Sequence, residues 1–233
     1  MSYSYQPDGA FTDRVRALAT ISGASLVGFA DLSGLSVEGQ GELPRAVVIA
    51  IGHSPEVFAS AEEMPTYAYY QEYLRLNQRL DEIAATTAEV LRDAGHAAQV
   101  NPATQPQLDY GTLAAPFPHK TAATRAGLGW IGKSALLVTP ELGPALRLAS
   151  ILTDAPLVTG RAVTESQCGA CTACEEACPG GAISGVEWRA GMGREEFFDA
   201  FACARAARAR AQAQGIEQTV CGICMLVCPK RRG

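Results

Sequence analysis

Hydrophobic and polar positions along the chain repeat with the periods of both helices and strands. Apolar residues at every third or fourth position favour helices, and short runs of apolar residues favour strands, one of them apolar enough to be buried on both faces. Such a mixture predicts an α+β fold in which helices are layered on a sheet. The predicted helices cover residues 11–21, 64–94, 121–126 and 202–214, and the predicted strands cover residues 25–30, 46–52, 97–100, 136–139 and 147–153.

Polar and small residues mark where these elements begin and end. Asp8 or Thr12 is a candidate N-cap of the first helix, and Gly95 and Gly127 are candidate stops. Residues 101–119 carry four prolines and predict a loop of the kind that often holds a functional site.

The composition narrows the class of protein. The chain of 233 residues is 48% hydrophobic, which excludes a disordered chain, and its longest apolar run is too short for a membrane helix. The first residues lack the basic region and apolar core of a secretory signal, so we expect a cytoplasmic protein. The net charge of -5 argues against non-specific binding of nucleic acids.

The cysteines divide the chain into two parts. All eight lie between Cys168 and Cys228, and without export they indicate metal or redox chemistry rather than disulfides. Residues 1–160 carry a net charge of -6 and residues 161–233 a net charge of +1. We therefore expect an N-terminal α/β domain over residues 1–160 and a small metal-binding domain over residues 161–233.

The spacing of the cysteines is typical of ferredoxin-type [4Fe–4S] binding. The first motif is C-x₂-C-x₂-C-x₃-C-P, and in two-cluster proteins the fourth cysteine of each run binds the other cluster. Two zinc sites would use the same number of cysteines, but zinc ribbons lack this run. The spacing predicts one ligand set of Cys168, Cys171, Cys174 and Cys228 and a second set of Cys178, Cys203, Cys221 and Cys224.

A segment upstream of the cysteines resembles a known family. Residues 125–133 read RAGLGWIGK, and a predicted strand farther on ends in TDAPL at residues 153–157. Together with the double-cysteine motif, these segments resemble epoxyqueuosine reductase, and reductive dehalogenases share the architecture. The resemblance implies a nitroreductase-like α/β sandwich joined to a ferredoxin-like domain with two [4Fe–4S] clusters, and it implies a cobalamin cofactor.

The sequence departs from this family at its catalytic positions. Where the family has an acidic segment with a proposed proton donor, this chain has residues 116–120, PFPHK. The arginine and histidine of the family's tyrosine-rich motif are replaced around residues 69–74. The helical-repeat extension of longer members is also absent, and with the acidic charge this gives the expectation that tRNA is not a partner.

Candidate catalytic and cofactor-binding residues come from the segments that match or replace family motifs. His119 and Lys120 occupy the neighbourhood of the family's proton donor, and histidine is a common general acid near neutral pH; a structural loop histidine is the alternative. The glycine-rich turn permits close backbone approach to a ligand, or it is a structural turn, and its tryptophan either walls a cofactor or fills the core. The candidate cofactor-binding residues are Tyr67, Tyr70, Gly127, Gly129, Trp130, Gly132 and Lys133.

Three functions are compatible with these features. The first is an oxidoreductase that passes electrons from a donor such as ferredoxin or flavodoxin through two clusters to a cobalamin or a small-molecule substrate. The second is an electron-transfer protein without substrate chemistry of its own, and the third is a structural or RNA-handling protein.

Several basic residues offset the negative charge of the clusters, or they form a solvated helix face: Arg205, Arg208, Arg210, Lys230, Arg231 and Arg232.

Overall fold

The computed structural model describes residues 6–35, 41–59, 63–104 and 109–231, so Pro106 in the predicted loop and Arg232 in the basic tail lie outside the described residues. In chain order the elements are α1 Gly9–Ile21, β1 Leu26–Asp31, β2 Arg45–Gly52, α2 Glu56–Ala59, α3 Tyr67–Asp93, β3 Ala98–Asn101, α4 His119–Arg125, β4 Trp130–Ile131, β5 Leu137–Val138, β6 Leu146–Thr153, α5 Ala173–Glu176, the 3₁₀ turn Arg194–Glu196, α6 Ala200–Ala213 and α7 Ile223–Leu226.

The chain divides into two compact units, each assembled from separate stretches. The last change of unit falls between Val163 and Thr164, close to the predicted domain boundary. Two earlier stretches nevertheless belong with the cysteines, which the sequence analysis did not predict. The first unit comprises Met1–Ile51, Asn77–Leu128 and Arg147–Val163, and the second comprises Gly52–Leu76, Gly129–Leu146 and Thr164–Gly233.

The sheet of the first unit confirms the predicted mixture of helices and strands. Its strands run in the order β1-β2-β6-β3, with β1 antiparallel to β2 and β3 antiparallel to β6. Every residue of β2 except the last is buried, as its uninterrupted apolar run predicts. Helices α1 and α4 pack on β1, the edge strand of this order.

The helices of the first unit begin and end near their predicted positions. Asp8 caps α1 by accepting a hydrogen bond from the backbone N–H of Phe11, which confirms one of the two candidate caps. Helix α3 is unbroken from Tyr67 to Asp93 and stops before Gly95, which has a positive φ of 86°. Leu74 of α3 is 41% exposed, because the buried face of the helix passes through Leu76 instead.

The strand predicted at residues 136–139 lies outside the large sheet. Its core, β5, pairs with β4 in a two-stranded ribbon, with Trp130 opposite Val138. The sequence analysis missed β4 because a two-residue strand is too short to produce a periodic pattern.

The second unit contains the helices that carry the cysteines. Two single-turn helices, α5 and α7, lie within the two cysteine motifs, carry Cys174 and Cys224, and pack against each other. Helix α6, predicted from its alanine and arginine content, is capped by Asp199, which accepts from the N–H of Ala202. None of the helices in the described ranges combines the length and the apolar character needed to span a bilayer.

Candidate functional site

The first predicted ligand set surrounds a cavity. Cys168 and Cys171 lie on the loop that leads into α5, Cys174 lies in α5, and Cys228 follows α7, so the packing of α5 on α7 brings the fourth cysteine to the other three. All four line one cavity, whose wall also includes Gly132, Lys133, Ser134, Val138, Cys224, Pro229 and Lys230. The structure therefore brings together the four residues that the spacing assigned to one cluster.

The electrostatics of this cavity favour a bound cation. Burial, followed by the neighbouring sulfurs of Cys168, Cys228 and Cys171, raises the pKa of the Cys174 thiol to about 11. Four thiolates at this spacing repel one another in the absence of positive charge. An iron–sulfur core supplies that charge, because its irons bind the thiolates directly.

The second predicted set shows the same electrostatic signature. Burial raises the pKa of the Cys224 thiol strongly, and the next contributions come from Cys221 and Cys203, with Cys174 and Cys178 following. Cys178 also raises the pKa of Cys221, whose pKa is raised mainly by burial. These interactions link the members of the second set, and Cys174 is the member of the first set that approaches them.

Two zinc sites were the alternative use of these cysteines. In the part of the chain that the structure describes, no three histidine, cysteine, aspartate or glutamate side chains converge on a point where a single ion could sit. A mononuclear zinc site needs four ligands that converge at about 2.3 Å for sulfur. The thiols instead surround a space, which is what a cubane requires.

Two glycines of the RAGLGWIGK segment lie where the backbone of the second unit is crowded. A Cβ on Gly132 would lie 2.9 Å from a methyl group of Val138 and 3.5 Å from the sulfur of Cys168. Gly129 lies against the backbone of β5, where a Cβ would meet the carbonyl oxygen of Val138. Glycine is therefore needed here to pack the ribbon and the first cysteine loop, which supports the structural-turn alternative for these positions.

Lys133 and Trp130 are both buried in the second unit. Lys133 is 6% exposed, and its Nζ donates to the carbonyl oxygens of Gly169 at 2.8 Å and Cys171 at 3.0 Å. Trp130 is 4% exposed, and its indole N–H has no hydrogen-bond partner among the described residues. The lysine thus holds the first cysteine loop, whereas the indole N–H of the tryptophan can donate a hydrogen bond to a ligand.

The remaining candidate cofactor residues lie apart from the cysteine cavity wall. Tyr67 begins α3 and is 61% exposed, and its ring packs edge-on against the half-buried Tyr70. Gly127 ends α4 in the first unit with a φ of 77°. Only Gly132 and Lys133 of the seven predicted residues line the cavity.

His119 is held by hydrogen bonds on both ring nitrogens in the first unit. Its Nε2 donates to the carbonyl oxygen of Pro102 at 3.1 Å, and its Nδ1 accepts from the hydroxyl of Ser150 at 2.9 Å. Burial lowers the pKa of His119 to about 4, with a smaller opposing effect from the hydrogen bond to Pro102 and further lowering contributions from the charges of Arg147 and Lys120 included in that value. The imidazole is therefore neutral at pH 7, which disfavours the predicted role as a general acid, and Lys120 lies beside it on α4.

A buried ion pair that the sequence analysis did not single out lies in the second unit. His53 Nδ1 is 2.8 Å from Glu72 Oε2, and the His53 ring stacks on Tyr69 with centroids 5.1 Å apart. Although burial raises the pKa of Glu72, hydrogen bonds from His53 and Ser54 leave that pKa below its usual value. The sequence offered one signal for this pair, because Glu72 is an acidic residue on the apolar face of α3, four residues before Leu76.

Comparison with known proteins identifies relatives of this chain. Residues 167–231 match the 4Fe-4S double cluster binding domain. An epoxyqueuosine reductase of Bacillus cereus is 30% identical over 176 residues, which are 70% of this chain and 40% of the relative. Another, from Synechococcus sp., is 34% identical over 141 residues, 58% of this chain and 40% of the relative. The chain thus spans about two fifths of the length of these curated relatives.

Solved structures share the fold. A reductive dehalogenase described with a mechanism for B12-dependent dehalogenation has a TM-score of 0.76 at 21% identity, over 100% of this chain and 33% of that one. An epoxyqueuosine reductase solved with an epoxyqueuosine-modified tRNA stem loop has a TM-score of 0.64 at 17% identity, over 96% of this chain and 66% of that one. The predicted resemblance to epoxyqueuosine reductases is therefore confirmed, and residues 167–231 form a double [4Fe–4S] cluster binding domain.

Proposed function

We propose that this protein is an oxidoreductase that passes electrons one at a time through two [4Fe–4S] clusters to a cobalamin or directly to a substrate. The observation that carries the proposal is the cavity enclosed by Cys168, Cys171, Cys174 and Cys228, because these cysteines come from two motifs that are distant in sequence. We assign these four as ligands of the first cluster. We assign Cys178, Cys203, Cys221 and Cys224, which are linked by their mutual effects on pKa, to the second cluster.

A cobalamin would supply a strongly reducing cobalt centre, and three observations support its binding. The fold is shared with a reductive dehalogenase described with B12-dependent chemistry. The buried, unpartnered indole N–H of Trp130 is a donor suited to a polar group of a bound cofactor. Tyr67 offers an exposed ring for a planar ligand. The nitroreductase-like form of the N-terminal domain remains part of this proposal.

Two substrate classes follow from the relatives. One is an epoxide on a modified tRNA base, and the other is an organic halide. The sequence analysis argued against tRNA, and the neighbour solved with a tRNA stem loop argues against that expectation. Both reactions require a proton as well as electrons. The neutral His119 serves to hold the loop through Pro102 and Ser150, so another group must supply the proton.

A basic stripe on α6 supports an acidic electron donor, such as a ferredoxin or a flavodoxin. Phe201, Arg205 and Arg208 are exposed at positions that share one helical face, and α6 contains no acidic residue. Cys203, an assigned ligand of the second cluster, lies on the same helix about one helix diameter, roughly 10 Å, from that face. In a protein of net charge -5, this stripe is a local positive patch that can steer an acidic partner.

The proposal is tested first by cofactor content. Protein purified anaerobically and reconstituted should contain about eight irons per chain, because the two assigned sets bind two cubanes. Added hydroxocobalamin should be retained at one equivalent, seen in the visible spectrum after desalting, and Trp130→Phe should bind it more weakly because the indole donor is lost. Eight irons without corrinoid retention would favour the electron-transfer alternative, and about two bound zinc ions would refute the cluster assignment.

The packing of Gly132 predicts a local effect on the first cluster. In Gly132→Ala the added methyl should crowd Cys168 and Val138, so about half of the iron should be lost while the second cluster remains. The measurement is iron content together with the electron paramagnetic resonance spectrum of the reduced protein. Gly193→Ala is the matched control, because φ there is -67° and the nearest atom to the added Cβ is 3.5 Å away. Equal cluster content in both variants would contradict the packing argument.

The hydrogen bonds of His119 predict an unusual pH dependence. Since its folded pKa of about 4 is below the unfolded value, the stability that the neutral ring contributes is present above pH ~6.5 and is lost as the pH falls toward ~4. In the NMR spectrum of the oxidised protein, the imidazole signal that disappears in His119→Gln should not titrate between pH ~5.5 and ~8. A midpoint near pH 6.5 would restore the general-acid role.

The stripe on α6 predicts a salt-dependent reaction with the donor. Arg205→Glu and Arg208→Glu should each slow reduction by reduced flavodoxin about tenfold at low ionic strength, and the difference should vanish at high salt. The measurement is stopped-flow absorbance of the clusters. Arg161→Glu, an equal charge change at an exposed position of the other unit, should have little effect. Equal slowing by all three variants would show that net charge alone controls the rate.

A further inference from the structure

Lys133 brings a positive charge to the wall of the first cysteine cavity. The residue directly follows Gly132, and both belong to the turn that joins β4 to β5. Its side chain is buried, and its ammonium donates to the carbonyl oxygens of Gly169 and Cys171. Both acceptors lie on the loop that carries Cys168 and Cys171, so the ammonium braces that loop from one side.

The two acceptors leave the charge of Lys133 unbalanced. Carbonyl oxygens are neutral, and among the residues described in the structure no carboxylate forms an ion pair with this lysine. An ammonium group has three hydrogens, of which two are used by Gly169 and Cys171. The four thiols that line the same cavity as Lys133 are therefore a candidate counter-charge.

A cluster bound by these thiols becomes more negative when it is reduced. Four thiolates on an oxidised cubane core give a charge of about -2, and the added electron makes it about -3. A buried cation attracts the more negative state more strongly, and burial weakens the screening by water. Lys133 should thus favour the reduced form of this cluster over the oxidised form.

The second cysteine set has a different cation. Arg210 lowers the pKa of Cys221, and its guanidinium donates to the carbonyl oxygen of Met64. Lys230 also lines the first cavity, but it is exposed, so water screens its charge. The effect of Lys133 should therefore be confined to one cluster and should exceed that of Lys230.

We propose that Lys133 is a positioning residue that braces the first cysteine loop and raises the reduction potential of the cluster held by Cys168, Cys171, Cys174 and Cys228. This inference rests on the ligand assignment of the proposed function. It gives Lys133 a role toward an iron–sulfur cluster, whereas the sequence marked it only as a candidate cofactor-binding residue. It also makes the first cluster a better acceptor for an electron that arrives through the second.

The test is a redox titration of the anaerobically reconstituted full chain, with dithionite as reductant and electron paramagnetic resonance as the readout. Lys133→Met should make one cluster about tenfold harder to reduce, which is a shift of about 59 mV for one electron, and should leave the other cluster unchanged. Lys133→Arg keeps the charge and should restore most of the wild-type potential. Lys230→Met is the matched control and should shift neither cluster appreciably.

The outcomes separate this inference from the proposed function. The signal that shifts must be the one that disappears in Cys168→Ser; a shift of the signal that disappears in Cys203→Ser overturns the inference. Eight irons with both potentials unchanged in Lys133→Met also overturns it, while the cluster proposal stands. If Lys133→Met fails to assemble the first cluster, Lys133→Gln, which keeps a hydrogen-bond donor without the charge, decides by the same shift. Failure of the wild-type chain to bind two clusters refutes the proposed function itself.

Discussion

The second unit depends on holding eight thiols close together without letting them repel one another. Each raised thiol pKa in the two sets has burial as its largest cause, and other cysteines contribute to each of them. Such a cluster of sulfurs is stable as thiolates only when cations lie among them, which ties the folding of this unit to its iron–sulfur cores. The crossing of Cys228 to the first motif makes the two sites interdependent, because α5 and α7 must pack before either set is complete.

Residues from the rest of the second unit pack against the second cysteine loop. Gly222, between two cysteines of the second motif, has a φ of 90°, and a Cβ there would lie 2.6 Å from a methyl group of Met64 and 3.3 Å from the ring of Tyr69. Tyr69 in turn stacks on His53, which is paired with Glu72. A buried apolar cluster joins these layers: Phe58, Met64, Tyr69, Ala145, Ala211, Ile216, Val220 and Met225. The second cysteine loop therefore packs on a core whose residues come from parts of the chain that are more than 150 residues apart.

Periodic features of the sequence predicted the elements, but not their assembly. The buried run of β2, the cap at Asp8 and the stop at Gly95 are local signals, and the structure follows each of them. The cysteine spacing predicted that Cys168, Cys171, Cys174 and Cys228 would lie together, and all four line the cavity, with Cys224 of the other predicted set beside them. The assignment of residues 52–76 and 129–146 to the cysteine unit could not be predicted, since contacts such as that between Gly222 and Met64 leave no local pattern. The hydrogen bonds that hold His119 could not be predicted either, because their partners, Pro102 and Ser150, are distant from it in sequence.

The residues that resemble the family and the residues that depart from it perform different tasks. In the RAGLGWIGK segment, Gly132 makes room for Cys168 and Lys133 binds the carbonyls of the cysteine loop, so this part of the resemblance reports on the cluster scaffold. Residues 116–120, where the family has its acidic segment, lie in the first unit and include His119, whose pKa burial lowers to about 4. Because the resemblance lies in residues that hold the first cysteine loop, it predicts electron delivery well and says little about the substrate. The chemistry that distinguishes this protein from its relatives must therefore be sought among the polar groups of the first unit, starting from those that could deliver a proton in place of His119.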